Sequence, residues 1–263
     1  MLDNLTFSYN DQKIAFQKTG KGKPLVILHG WGSSKRVMMS VAQNLSHLCT
    51  SYVLDLPGFG DSPEPSRAWS IDDYADAVQA FIESLEEEKI DVLVHSFGGR
   101  IILKLCARDF GKAHIDKVLI TGGAGMKPKR SMKFYFKKYT AKTLKAPFLM
   151  LPGSLQKKAL GWLRSTSLWK SLGSSDYSKL SGVMRETFVR SVSEYLESSL
   201  PKIPHEVLLL WGRNDDATPV YQGQRIEKGI KNSALVIIED AGHYAFLDKP
   251  KQFARIAEAF FKS

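Results

Sequence analysis

Leu5, Phe7 and Tyr9 alternate with polar neighbours, Asn10-Asp11 interrupts the run, and Ile14 and Phe16 resume it. Alternation of period two on both sides of a turn dipeptide predicts a β-hairpin. The later apolar runs are of another kind. Leu25–Leu28, Tyr52–Leu56, Val92–Val94, Val118–Ile120, Val207–Trp211 and Leu235–Ile238 are short, rich in Val, Leu and Ile, and nearly unbroken. Strands covered on both faces, as in a parallel sheet, have that composition. Between most of these runs the apolar spacing becomes helical. Val37–Leu48 carries such a stripe, and Ser70-Ile71-Asp72-Asp73 offers a cap ahead of Tyr74, Ala75, Val78, Phe81, Ile82 and Leu85. Gly98–Ala107 is compact and apolar, while Pro219–Ile230 and Pro250–Phe261 each open on a proline suited to a first helical position. The strand–helix alternation predicts an α/β fold built on a mostly parallel, doubly wound sheet with right-handed crossovers.

The alternation stops between about Gly125 and Leu200. Met132, Tyr135, Phe136 and Tyr139, then Leu160, Leu163 and Leu168, then Val183, Phe188, Val192, Tyr195 and Leu196 stand at helical spacings there. They predict roughly three or four helices inserted between two core strands. The expected organisation is a core of residues 1–124 and 201–263 and a helical insertion of residues 125–200.

Charge sharpens that division. The net charge is +10, yet the insertion alone holds about fifteen Lys and Arg against about four Asp and Glu, and the remainder is close to neutral. A basic balance confined to one segment does not mark the whole molecule as a nucleic-acid binder, and no nucleic-acid motif is present. Two readings of the segment stand. Either its apolar stripe packs inward and its lysines are simply solvated, or its cationic face draws the protein to anionic lipid or acidic substrates. A chain of 263 residues fits one large α/β domain with an insertion. Its two cysteines, Cys49 and Cys106, are expected to be buried thiols, and they are too few for a cysteine metal cluster. No apolar run reaches the ~18–20 residues of a membrane span, and Met1–Asn10 lacks signal-peptide features, so a cytoplasmic protein is expected.

Four short segments carry candidate chemistry. In Val92-Leu93-Val94-His95-Ser96-Phe97-Gly98-Gly99 a buried strand runs into a serine, and two glycines open a helix. Such a turn strains the serine backbone and exposes its hydroxyl at a helix N-terminus, which favours a developing anion. The usual G-x-S-x-G pattern has glycine where Val94 stands. Leu28-His29-Gly30-Trp31-Gly32 follows an early strand and can present a backbone N–H. Leu210-Trp211-Gly212-Arg213-Asn214-Asp215-Asp216 puts acids after another strand. Asp240-Ala241-Gly242-His243 puts a histidine after the last one. Of six histidines, His243 alone stands beyond a strand end and late enough to complete the order serine, acid, histidine. Each segment alone also reads as an ordinary βα turn or helix cap; their conjunction is the specific signal.

With His-Gly-Trp-Gly at 29–32, Asp-Leu-Pro-Gly-Phe-Gly-Asp-Ser at 55–62, His-Ser-Phe-Gly-Gly at 95–99, Trp-Gly-Arg-Asn-Asp at 211–215 and Gly-His at 242–243, the chain resembles the α/β-hydrolase superfamily along nearly its whole length. The resemblance implies a catalytic triad of Ser96, Asp215 and His243, with Asp215, four residues before Pro219, as the acid rather than Asp216. It also implies an oxyanion hole from the N–H groups of Trp31 and Phe97, and a cap formed by the inserted helices. It implies no metal and no organic cofactor. Serine at 96 sets aside dehalogenase and epoxide-hydrolase chemistry, which need an aspartate there. A carboxylic-ester hydrolase acting on a small or medium acyl substrate is the leading expectation. A hydrolase of vinylogous diketone C–C bonds, or a ligand-binding member without activity, is the alternative.

Overall fold

The computed structural model describes residues 4–129, 132–166, 180 and 182–263. They form two units: the chain up to Lys127 together with Glu186–Ser263, and Pro128–Arg185.

The first unit contains an eight-stranded sheet. Its strands are β1 (Asn4–Tyr9), β2 (Gln12–Gly20), β3 (Lys23–Leu28), β4 (Cys49–Leu54), β5 (Ile90–His95), β6 (Ile115–Thr121), β7 (Glu206–Gly212) and β8 (Ser233–Ile238), in the order β1-β2-β4-β3-β5-β6-β7-β8. β1 and β2 form the predicted hairpin, with Tyr9 opposite Gln12 and Asn10 at φ 50°. β2 runs antiparallel to β4, and every pairing from β4 to β8 is parallel.

Both faces of the parallel part are covered, which explains the unbroken apolar runs. Leu25, Ile27, Val53, Leu93, Leu119 and Leu210 join one core cluster with residues of helices α1 (Lys35–Asn44) and α9 (Pro250–Lys262). The alternate residues Val26, Leu28, Val92, Val94 and Ile120 are equally buried. They point to the opposite face, the side of α2 (Ile71–Glu83) and α3 (Phe97–Cys106). Each fully buried aliphatic side chain stabilises the fold by roughly 1.5–3 kcal/mol. Cys49 and Cys106 are free buried thiols.

The connections depart from the sequence reading in small ways. α1 starts two residues before the predicted Val37 and ends at Asn44. Pro219 is the N-cap of α8 (Val220–Gly229) rather than its first residue. The short helix α4 (Asp109–His114) had no periodic signal: it is only a turn and a half long, with His114 stacked on Phe110.

The Ser70 cap forms as predicted. Its hydroxyl accepts from the Asp73 amide at 3.2 Å, and Asp73 accepts the Ser70 amide at 2.7 Å. Burial works against the Asp73 carboxylate, but Arg67 and Ser70 outweigh it and hold the pKa at about 2. A depressed pKa gives stability that is full above the unfolded value of roughly 4 and is lost as pH falls through the folded one. Asp73→Asn should therefore lower the melting temperature at neutral pH, and the gap to wild type should close toward about pH 2. Thermal melts across the acid range check this.

The second unit contains α5 (Met132–Leu149) and α6 (Gly153–Ser165), and α7 (Gly182–Ser193) carries the chain back into the first unit at Glu186. Within the first unit, the departing and returning strands of chain are bonded to each other. The Leu196 amide donates to the Gly125 carbonyl at 2.9 Å, and the Lys127 amide donates to Glu197 at 2.6 Å. Arg225 caps the Lys127 carbonyl, also at 2.6 Å. Residues 167–179, where Leu168 of the predicted insertion stripe falls, and the side chains of Tyr135 and Phe136 lie outside the described residues.

Candidate active site

β3 and β5 are neighbours, yet the chain leaves them in opposite directions, β3 toward β4 and β5 toward β6. Open α/β sheets place their sites in the crevice at such a switch, beyond the strands' C-terminal ends. Ser96 directly follows β5 and directly precedes α3, with φ 50° and ψ −104°. That conformation is strained for a residue with a Cβ. It is held by its surroundings: the Ser96 amide donates to the Thr121 carbonyl at 3.1 Å, and the Ser96 carbonyl accepts from Gly99 and Ala124 at 3.0 Å each. Close approach demands the small neighbours. A Cβ on Gly98 would lie 2.9 Å from that of Leu28, and one on Gly30 would lie 3.1 Å from that of Ser96. Val94 replaces the small residue of the usual pattern without disturbing the turn. It is fully buried in β5, in register with Leu28 and Ile120.

Asp215 follows β7 and His243 follows β8, and the structure brings the two side chains together. His243 Nδ1 lies 2.9 Å from Asp215 Oδ2. Asp215 is locked in place: its Oδ1 accepts the amides of Ala217 and Thr218 at 3.0 and 2.8 Å, and Oδ2 lies 2.9 Å from the Thr218 hydroxyl. Burial tends to raise the Asp215 pKa, but the bonds from His243 and Thr218 prevail and keep the carboxyl below its ordinary value. Asp216 is exposed. His243 uses Nδ1 on Asp215, which leaves Nε2 for a reacting group. The Ser96 hydroxyl has no hydrogen-bond partner among the described residues.

Among the described residues, no acceptor faces the main-chain N–H of Trp31 or of Phe97. Both lie at the crevice, Trp31 in the turn after β3 and Phe97 at the start of α3. Their rings pack edge to face at 5.0 Å, and Phe59 stands 4.9 Å from the Trp31 ring. Phe188 closes on the same indole at 5.0 Å. Phe59 is delivered by the Asp-Leu-Pro-Gly-Phe-Gly-Asp-Ser segment. There Lys35, with a side chain only 1% exposed, bridges Asp55 at 2.6 Å and Asp61 at 2.5 Å. Burial opposes the Lys35 charge, but the two carboxylates overcome that and raise its pKa. A Cβ on Gly60 would overlap the Asp55 carboxyl, so this knot requires glycine. A cleft of about 480 Å³ lies nearby, lined by Gly32, Ser33, Ser34, Val37, Gly60, Tyr244 and Leu247. Among the described residues, no group of three or more His, Cys, Asp or Glu side chains is arranged to hold a metal ion.

Three further residues have roles that the sequence reading did not give them. His95 Nε2 donates to the His243 carbonyl at 3.1 Å, and the two rings lie 4.6 Å apart. Burial pushes the His95 pKa down to about 3, so the ring stays neutral and braces the loop that bears His243. His29 is braced in the same way, with Nδ1 donating to the Gly30 carbonyl and Nε2 accepting the Leu56 amide. Gly122, at φ 54°, backs the acid–histidine pair. A Cβ there would lie 3.1 Å from His243 Nδ1 and 3.2 Å from Asp215 Oδ2. Gly122→Ala should therefore shift the pair and lower kcat by roughly 10–10²-fold. Steady-state kinetics on a protein shown by circular dichroism to be folded checks this.

Comparison with known proteins agrees with this architecture. The family model described as alpha/beta hydrolase fold matches residues 23–250. The chain is 27% identical over 258 residues to the AB hydrolase superfamily protein YisY of Bacillus subtilis, covering 93% of each. It is 28% identical over 259 residues to the pimeloyl-[acyl-carrier protein] methyl ester esterase of Neisseria meningitidis, covering 90% of this chain and 93% of that protein. Among solved structures, the esterase from Exiguobacterium antarcticum superposes with a TM-score of 0.74 at 21% identity, covering 99% of this chain and 100% of the other.

Proposed function

The chain belongs to the α/β-hydrolase fold family, and from that premise we propose that it is a serine hydrolase cleaving carboxylic esters of small to medium acyl substrates. The observation that carries the proposal is the Asp215–His243 pair, 2.9 Å apart at the same strand ends as the strained Ser96. In this reading Ser96 Oγ attacks the ester carbonyl carbon while His243 Nε2 takes its proton, and Asp215 stabilises the imidazolium. The free N–H groups of Trp31 and Phe97 receive the oxyanion. Collapse of the tetrahedral adduct expels the alcohol, protonated by His243, and leaves an acyl-Ser96 ester. Water then attacks, giving its proton to His243, and the second collapse releases the acid and restores Ser96. No metal or organic cofactor takes part.

The aromatic wall of Trp31, Phe59 and Phe97 suits an apolar acyl chain. Sequence likeness to methyl ester esterases over nine-tenths of the chain supports an ester as the bond cleaved. In the same reading, the inserted helices act as a cap that selects the acyl group. The test is a fluorophosphonate probe with mass-spectrometric mapping, followed by a chain-length series of chromogenic esters and a dienoate C–C substrate. Labelling at Ser96 with ester turnover is the expected result. Turnover of the dienoate alone would overturn the ester reading, and absence of labelling would overturn the serine mechanism.

A further inference from the structure

The helices α5 and α6 are joined by Met150–Pro152, and the Phe148 and Trp162 rings, one from each helix, lie 6.4 Å apart. Two features of this hairpin are left unused by ester hydrolysis. The first is charge: Met132–Ser165 holds eight Lys and Arg and not one Asp or Glu. A solvated helix surface ordinarily mixes both signs, because pairs three or four residues apart are stabilising and like charges at that spacing are not. Lys142 and Lys158 are exposed.

The second feature is apolar. Of the thirteen exposed large hydrophobic side chains among the described residues, seven lie in or beside this hairpin. They are contiguous at its tip, where Leu149, Met150 and Leu151 are 53%, 87% and 38% exposed. On α6, Leu155 and Trp162 stand two turns apart on one side, 57% and 64% exposed, while Leu163 is buried. The hairpin thus has a buried apolar side and a second, exposed one. Scattered exposed apolar residues need no explanation, but a continuous patch of them marks a contact surface.

We propose that this hairpin is a peripheral membrane-binding surface, docking on bilayers that carry anionic lipid. The Leu149–Leu151 tip and the Leu155 side of α6 would enter the interfacial region, with the lysines reaching to the headgroup phosphates along their aliphatic stems. An acidic protein would match the lysines but leaves the apolar tip unexplained; a bilayer surface accounts for both. Among the described residues, no helix is long and apolar enough to cross a membrane, so the association is with the surface. Each basic residue near an anionic surface multiplies the partition coefficient by roughly fivefold, and salt screens the effect.

The experiment is co-sedimentation of the full chain with phosphatidylcholine vesicles, with and without phosphatidylglycerol, at low and high salt. Binding at low salt is expected to be more than about tenfold tighter with phosphatidylglycerol and to weaken steeply as salt rises. Lys142→Glu with Lys158→Glu should reduce the anionic preference by more than about tenfold. Leu149→Ser with Met150→Ser should weaken binding even where the charge is intact. Thermal melts establish that both variants are folded. Equal binding to both vesicle types at low salt, or none to either, would overturn the proposal. So would tip variants that bind like wild type while the protein binds polyglutamate with the same salt dependence, since that result assigns the surface to an acidic polypeptide.

Discussion

Ser96→Ala is expected to lower kcat for ester hydrolysis by on the order of 10⁴–10⁶, with no loss of melting temperature beyond a few degrees. The reason for the size is that a triad acts as one unit. Without Oγ there is nothing for His243 to deprotonate and no acyl-enzyme, and only the oxyanion donors and binding remain. The reason for the intact fold is that the bonds holding the turn are made by the Ser96 backbone, through the Thr121, Gly99 and Ala124 partners. Alanine experiences the same positive φ as serine, so the substitution adds no strain. Kinetics, probe labelling and a melt on the same preparation test all parts together. Wild-type turnover by a folded Ser96→Ala protein, free of contaminating esterase, would remove Ser96 from the mechanism.

Asp215→Asn is expected to cost about 10³–10⁴ in kcat, and Asp216→Asn less than about twofold. The asparagine carbonyl can keep the two amide bonds that Oδ1 now accepts from Ala217 and Thr218, so the loop should hold. What changes is the group facing His243 Nδ1. An amide NH₂ there donates, so Nδ1 must accept and the proton moves to Nε2, the nitrogen that has to be free to act as base. The neutral side chain also gives up the charge that stabilises the imidazolium. Matched kinetics of the two variants decide the register: a larger loss at Asp216 than at Asp215 would show that the exposed acid, not the buried one, serves the site.

Much of this was legible in the sequence because the signals were local. The unbroken runs Leu25–Leu28 and Val92–Val94 mark strands buried on both faces; the serine and the acid follow such runs, while the histidine follows the apolar but mostly half-buried edge strand β8. The strain at Ser96 could be inferred from the glycines beside it. Other elements left no local trace. Gly122 follows β6 as an unremarkable glycine, and its role beside Asp215 and His243 depends on residues about ninety and one hundred and twenty positions later in the chain. His95 braces a carbonyl 148 residues away. Contacts of that range have no periodicity to read. α4 was missed because six residues with only Phe110 and Ala113 apolar, and no side-chain cap, do not build a stripe. The choice of Asp215 over Asp216 came from family likeness; the structure adds a physical reason, since only Asp215 is buried and satisfied on both oxygens.

The bonds between Gly125 and Leu196, and between Lys127 and Glu197, close the insertion at its base. Between those points Pro128–Arg185 form a unit of their own, which to the first unit is a loop whose ends are held. Lengthening such a loop is inexpensive, about 0.6 kcal/mol for each doubling. Ser96, Asp215, His243, Trp31 and Phe97 all lie outside it. On the reading proposed above, in which the inserted helices select the acyl group, chemistry and selectivity are carried by separate parts of the chain. A lineage can then lengthen, recharge or replace α5 and α6 while Ser96, Asp215 and His243 stay where they are, and a laboratory graft confined to Pro128–Arg185 is expected to keep that freedom.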